Sequence, residues 1–281
     1  MRYLSLTKPG IIFGNLVTLT GGFLLASKSG IDLSLLLCAM LSMALIIGGG
    51  CVFNNFIDQD IDSVMQRTKN RALVVGSVSG KSALVFGSLL TLSGALLIYF
   101  TTNLLTTIIA LIGLVFYVVV YSLFLKRLST YGTIIGGIAG AIPPVVGYCA
   151  VTNRFDMGAM LLFLILFAWQ IPHFYAISIY RLEDFKTANI PILPVKKSIY
   201  YTKVSMVLYI IVFSIAAVMP ILFGYAGVVY FVIATCLSLI WLGLGIHGLM
   251  IKHNERVWAR KMFLWSIIVI TILCLVMGIK Y

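Results

Sequence analysis

The sequence predicts an all-α membrane protein with about nine transmembrane helices and a cytoplasmic N-terminus. Three observations carry that expectation. The 281 residues are 61% hydrophobic and 10% charged, with a mean hydropathy of +1.10; soluble domains carry about 25% charged residues. The apolar residues fall in runs of about 20, the length at which a helix crosses a bilayer. Lys and Arg are split unevenly between the alternate loops those runs define.

The first run, 10–27, follows MRYLSLTKPG. It lacks a small-residue cleavage site and heads a series of similar runs, so it reads as a span and not a signal peptide. No long Arg- and Ser-rich leader precedes it, which favours a bacterial inner membrane over an imported organellar precursor. The remaining runs are 33–57, 82–100, 104–125, 132–152, 157–180, 201–223, 227–248 and 262–280. The breaks TTN (101–103) and GYAG (224–227) are short enough to be tight hairpin turns. Pro143 and Pro144 predict a distortion of the fifth span. No hydrophilic stretch is long enough for a separate soluble domain, so residues 1–281 read as a single polytopic domain.

Nine spans put the termini on opposite sides. One side then collects Arg2, Lys8, Arg67, Lys69, Arg71, Lys81, Lys126, Arg127, Arg181, Lys186, Lys196, Lys197, Lys203, Lys252, Arg256, Arg260 and Lys261. The other collects Lys28, Arg154 and Lys280. The split of 17 to 3 makes the first side cytoplasmic. It also accounts for the net charge of +12 without nucleic acid, since the bases are scattered through short loops and form no tract or stripe. The five cysteines lie in or beside apolar runs with no CxxC pair, and read as small buried hydrophobes.

The acids are more selective than topology requires. Five of the six on the cytoplasmic side fall in two clusters, Asp58, Asp60 and Asp62 after the second span, and Glu183 and Asp184 after the sixth. If the helix carrying CVFNNFIDQDID continues, Asn54, Asp58 and Asp62 are spaced i, i+4, i+8 and share one face. Two carboxylates that close repel each other, and a helix C-terminus disfavours both. A divalent cation relieves both penalties. Oxygen ligands with one amide suit Mg2+, which also takes phosphate oxygens. Arg67, Lys69 and Arg71 follow at once and suit the remaining phosphate charge. The competing interpretation is a solvated loop of balancing charges. Asp60 fits that better, because it faces away from the Asp58/Asp62 stripe. The segment Tyr121–Gly132, expected as a loop, brings Lys126 and Arg127 to the same side, as anion contacts or as topology signals alone.

In FAWQIPHFYAISIYRLEDF, Pro172 removes a backbone bond inside an apolar helix, and His173 follows it. An ionisable residue inside a span is a functional candidate. His173, Ile177, Tyr180 and Asp184 share a face, with His173 about 16 Å deeper than Asp184 at 1.5 Å per residue. A hydrogen-bonded packing histidine is the alternative. Trp169 and Gln170 either line a cavity or pack. His247 and His253 suit ordinary interfacial positions.

The strings TKPGIIFGN, NNFIDQDIDSVMQRTKNR, YSLFLKR, GAIPPVVGYCAV, WQIPHFYAISIYRLEDF and ANIPILPV together resemble the intramembrane aromatic prenyltransferase superfamily. Within it they are similar to the branch that farnesylates protohaem IX. The resemblance covers nearly the whole chain. It implies helices around a central cavity open to the cytoplasm and the lipid. It implies transfer of a farnesyl group from farnesyl diphosphate to a vinyl group of haem b, giving haem O and diphosphate. Asn54, Asp58, Asp62 and Asp184 then hold Mg2+, and Arg67, Arg71, Lys126 and Arg127 meet the diphosphate. His173, Trp169 and Tyr180 lie toward haem, as iron ligand, propionate contact or proton relay in the case of His173. Haem O would pass to a haem A synthase or a terminal oxidase. The superfamily's second motif is Asp-x-x-x-Asp, but Tyr180 stands here where the first acid belongs, which puts a second full Mg2+ site in question. Two other functions compete: a prenyltransferase for a quinone-precursor benzoate, and an anion-binding transporter.

Overall fold

The computed structural model describes residues 2–279. Lys280, placed above with the minority side, and the end of the ninth predicted run lie outside the described residues. Among the described residues there is no strand, and nine helices are long and apolar enough to cross a membrane. They are α1 (Pro9–Ala26), α2 (Leu33–Ile57), α3 (Gly80–Thr101), α4 (Leu104–Leu128), α5 (Gly132–Thr152), α6 (Met157–Tyr180), α7 (Ile199–Leu222), α8 (Val228–Met250) and α9 (Glu255–Val276). Short helices at Arg2–Leu6, Gln59–Val64, Leu182–Thr187 and Leu193–Lys196 gather at the basic end.

The two acids of the opposite end are helix caps. Asp32 accepts from Leu35 N–H at 2.9 Å, and Asp156 from Gly158 N–H at 2.9 Å. A carboxylate at a helix N-terminus satisfies an orphan donor and complements the dipole. Asn103 caps α4 in the same way after the short turn that TTN predicts. Gly224 supplies the left-handed φ of +70° in the second predicted turn.

The fifth span breaks at Ala141, the distortion that Pro143 and Pro144 predict, and the two prolines stand at the start of its second half, where missing N–H groups cost least. Two elements depart from the sequence expectation. α9 begins at Glu255, not at 262; Arg256, Arg260 and Lys261 are helical, because charged residues at a helix end reach the interface. In α4 the ladder widens to a π-helix over Phe116–Leu125 and returns to α over Lys126–Leu128. The segment expected to be a loop from Tyr121 is therefore helical to Leu128. An apolar run of one length suits either ladder, so the sequence carried no signal of the change.

Close backbone approach holds the bundle together. α2 packs most extensively on α3, and α1 on α5. On α3, a Cβ at Gly94 would stand 2.7 Å from the Ser42 carbonyl and 2.8 Å from Ile46 Cγ1. Lipid tails are as apolar as leucine, so such small-residue contacts replace hydrophobic burial as the source of association. Gly94→Val is expected to destabilise the protein by roughly 1–3 kcal/mol. Gly243, whose added Cβ would meet nothing within 4 Å, is the control. Detergent melting curves check the pair; equal melting temperatures for Gly94→Val and Gly243→Ala would contradict this packing account.

Candidate active site

The acid ladder forms at the end of α2. The helix halts for one residue at Asp58 and resumes at Gln59. Asp58 N–H still donates to Asn54 O at 3.0 Å, and Asp62 N–H to Asp58 O at 2.8 Å. The i, i+4, i+8 face therefore survives the break. Asn54, Asp58 and Asp62 are all buried, with Asp58 at 1% exposure, so a solvated loop does not describe them. Asp60 points outward, as its register predicts, and Arg127 grips both its oxygens at 2.6 and 2.7 Å. That hydrogen bonding holds the Asp60 carboxyl below its usual range.

Each ladder residue is met by a cation from another element. Lys8, at the entrance of α1, donates to Asn54 Oδ1 at 2.5 Å. Lys126, at the end of the π segment, reaches Asp58 Oδ2 at 2.5 Å. Arg71 pairs with Asp62 Oδ2. Asn54 Nδ2 donates to Asp58 Oδ2 and to Ser122 Oγ, both at 2.9 Å, which orients its oxygen toward Lys8. Asp58 Oδ1 is buried without a hydrogen-bond partner.

Beside the ladder is a cavity of about 240 Å³, with Asn55, Arg67, Asn70 and Arg71 in its wall. Burial, then the charges of Arg71 and Arg181, push the Arg67 guanidinium below its ordinary pKa, while Asp62 and Asp184 oppose that shift. Burial lowers the Lys8 ammonium to about 8. The buried carboxylates Asp58 and Asp62 thus stand among four cations, Lys8, Arg67, Arg71 and Lys126. That surplus of positive charge suits an anion.

The second acid cluster approaches the first through the loop after the ladder. Asp184 Oδ1 accepts from Gln66 N–H at 3.2 Å, and Glu183 is exposed and pairs with Lys186 at 3.0 Å. Asp184 does not close with Asp58 and Asp62 into a cage: among the described residues no three His, Cys, Asp or Glu side chains converge. Two guanidinium groups approach the Tyr180 ring, Arg181 at 4.6 Å and Arg256 at 5.4 Å.

Deeper on α6, His173, Ile177 and Tyr180 are half-buried, whereas Pro172, Ala176 and Ile179 are buried; Asp184, expected on the same face, is half-buried too but lies past the break at Arg181, on the short helix Leu182–Thr187. The α6 stripe is less fully covered than the residues beside it. The His173 ring stacks on Trp169 at 4.7 Å and meets Phe263 of α9 at 5.0 Å. Its Nδ1 lies 2.7 Å from Ser266 Oγ. Trp169 donates its indole N–H to Ser266 O at 2.8 Å. Gln170 packs, donating to the Gly137 carbonyl of α5.

Sequence reasoning counted Lys8 only as a topology charge and missed Ser122, Tyr117 and Ser266. Lys8 carried a signal. A cation at a helix N-terminus opposes the dipole; the structure adds a left-handed φ of 54° at Lys8. Tyr117 and Tyr121, stacked at 6.4 Å, depend on the π segment and carried none.

Among the described residues, nine apolar helices with a buried, cation-met acid ladder at one end define an integral membrane protein with a charged site at the end of its bundle. The chain belongs to the UbiA prenyltransferase family, matched over residues 15–267, and is a prenyltransferase. Among curated relatives, protoheme IX farnesyltransferase of Yersinia pseudotuberculosis serotype O:1b is 52% identical over 280 residues, covering 100% of this chain and 95% of the relative. A solved structure of digeranylgeranylglyceryl phosphate synthase shares the fold with a TM-score of 0.80 at 21% identity, covering 99% of this chain and 96% of that one. A UbiA homolog from Archaeoglobus fulgidus bound to GPP and Mg2+ does so at 0.71 and 17% identity, covering 99% and 100%.

Proposed function

We propose that this chain, as a single polytopic domain over residues 1–281, transfers a farnesyl group from farnesyl diphosphate to a vinyl group of haem b, giving haem O and diphosphate. The observation that carries the reading is the buried Asn54–Asp58–Asp62 face, with an unpartnered carboxylate oxygen and a surplus of cations around it. The name and 52% identity of the Yersinia relative support the acceptor.

The donor set fits Mg2+. It consists of oxygens only, and Asp58 Oδ1 is buried with a lone pair unused. Asn54, Asp58 and Asp62 would hold the ion, with Asp184 at the edge of the site. When bound, Mg2+ withdraws charge from the diphosphate leaving group. Arg67, Arg71, Lys126 and Lys8 meet the diphosphate oxygens and stabilise the charge that develops as the C1–O bond breaks. Arg127 contributes through Asp60 and the Ile57 carbonyl, anchoring the end of α4 to the ladder. The farnesyl C1 then bonds to the vinyl group. Water supplies the product hydroxyl and releases one proton. A water-poor interior protects the allylic cation from premature capture. His173, Trp169 and Tyr180, half-buried on one side of α6, would face haem.

The bacterial source of the 52% identical relative supports an inner-membrane location, and the strong Lys and Arg bias supports a cytoplasmic N-terminus and site mouth; haem O would pass on to a haem A synthase or terminal oxidase. The deciding experiment incubates purified protein with Mg2+, haem b and farnesyl diphosphate and takes a mass spectrum of the extracted haem. Haem O is expected. Recovery of unmodified haem b beside a prenylated hydroxybenzoate would transfer the assignment to the quinone-precursor acceptor.

A further inference from the structure

The hydrogen bonds around His173 specify which of its nitrogens carries the proton. Ser266 is fully buried, and its Oγ lies 2.6 Å from the Phe263 carbonyl oxygen and 2.7 Å from His173 Nδ1. Two oxygens at 2.6 Å need a proton between them, and a carbonyl has none to give. The single hydroxyl proton of Ser266 is therefore directed to Phe263 O. Oγ faces His173 with a lone pair, so the proton of that second bond belongs to Nδ1. In a neutral imidazole the other nitrogen, Nε2, is then unprotonated. Nε2 makes no hydrogen bond within the protein among the described residues.

The same residue also sets the plane of the ring. The Ser266 carbonyl accepts the Trp169 indole N–H at 2.8 Å, and Trp169 stacks on the imidazole with 25° between the planes. Ser266 thus holds the ring by its side chain, and the ring's stacking partner by its backbone. Phe263 and Phe174 flank the ring at 5.0 and 5.4 Å. A propionate contact would require a proton on Nε2, and this arrangement places it on Nδ1.

We propose that Ser266 is a positioning residue that locks His173 as the Nδ1–H tautomer, so that Nε2 presents its lone pair as an axial ligand to the iron of the haem substrate. This rests on the haem reading above. It narrows that reading to one of three roles for His173. A second-sphere acceptor that fixes the tautomer of a metal-binding histidine is a general device.

The test uses full-length protein in nanodiscs titrated with ferric haem b, followed by optical absorption and resonance Raman spectroscopy. Wild type should give a histidine-ligated spectrum. His173→Ala should lose that signature, and added imidazole should restore it. Ser266→Ala removes only the hydroxyl. It should weaken haem binding by about tenfold, the equivalent of one lost hydrogen bond, while binding of farnesyl diphosphate stays unchanged. Ser266→Thr, which keeps the hydroxyl, should recover wild-type binding. A histidine-ligated spectrum that persists in His173→Ala, or haem affinity unaltered in Ser266→Ala, overturns the proposal even if haem O is formed. Failure of wild type to bind or convert haem b overturns the haem reading and this proposal together.

Discussion

Asp58→Asn is expected to lower turnover by roughly a thousandfold, the scale on which removal of a preorganised electrostatic group acts. The substitution keeps the shape of the side chain and removes its charge. Asp58 is the central member of the ladder, hydrogen-bonded by Asn54 and paired with Lys126, and its second oxygen is unpartnered. Asp62→Asn should act in the same direction. A second effect must be separated from the first. Lys126 loses its counter-charge in Asp58→Asn, and breaking a buried pair costs up to about 3–5 kcal/mol. The double variant Asp58→Asn with Lys126→Met removes both charges. It should regain melting temperature but not turnover. Wild-type activity in Asp58→Asn, or activity that returns with stability in the double variant, would mean that the ladder is only structural.

The second large effect is metal dependence. Farnesyl diphosphate should raise the melting temperature when Mg2+ is present, and the shift should disappear with a chelator. A ligand at 100 times its Kd stabilises by about 2.7 kcal/mol. The buried carboxylates Asp58 and Asp62 repel diphosphate oxygens unless a cation stands between them. Arg71 and Lys126 each occupy one oxygen of Asp62 and Asp58, but Asp58 Oδ1 stays unpartnered and faces a diphosphate favourably only through a cation. Turnover should vanish in chelator and return on adding Mg2+. The same melting shift with and without chelator would show the arginines and lysines binding the diphosphate unaided.

Much of this site was legible in the residues because helical spacing is a strict geometric rule. The positions Asn54, Asp58 and Asp62 share a face whatever surrounds them, and Asp60 cannot join it. The same rule placed His173, Ile177 and Tyr180 on one stripe of α6, but not Asp184, because the helix ends at Tyr180 and restarts at Leu182. It did not place Arg127 on Asp60, because a cation's partner depends on which elements approach, and α4 approaches with an altered ladder.

Apolar run length and the mismatch of charge with a hydrophobic solvent determined the nine spans from the sequence alone. Local periodicity determined the acid ladder. The tertiary structure decided what periodicity leaves free, namely contacts between residues far apart in the chain. It brought Lys8 to Asn54 across 46 residues and Lys126 to Asp58 across 68. It also brought Ser266 to His173 across 93, where one hydroxyl proton has a single place to go.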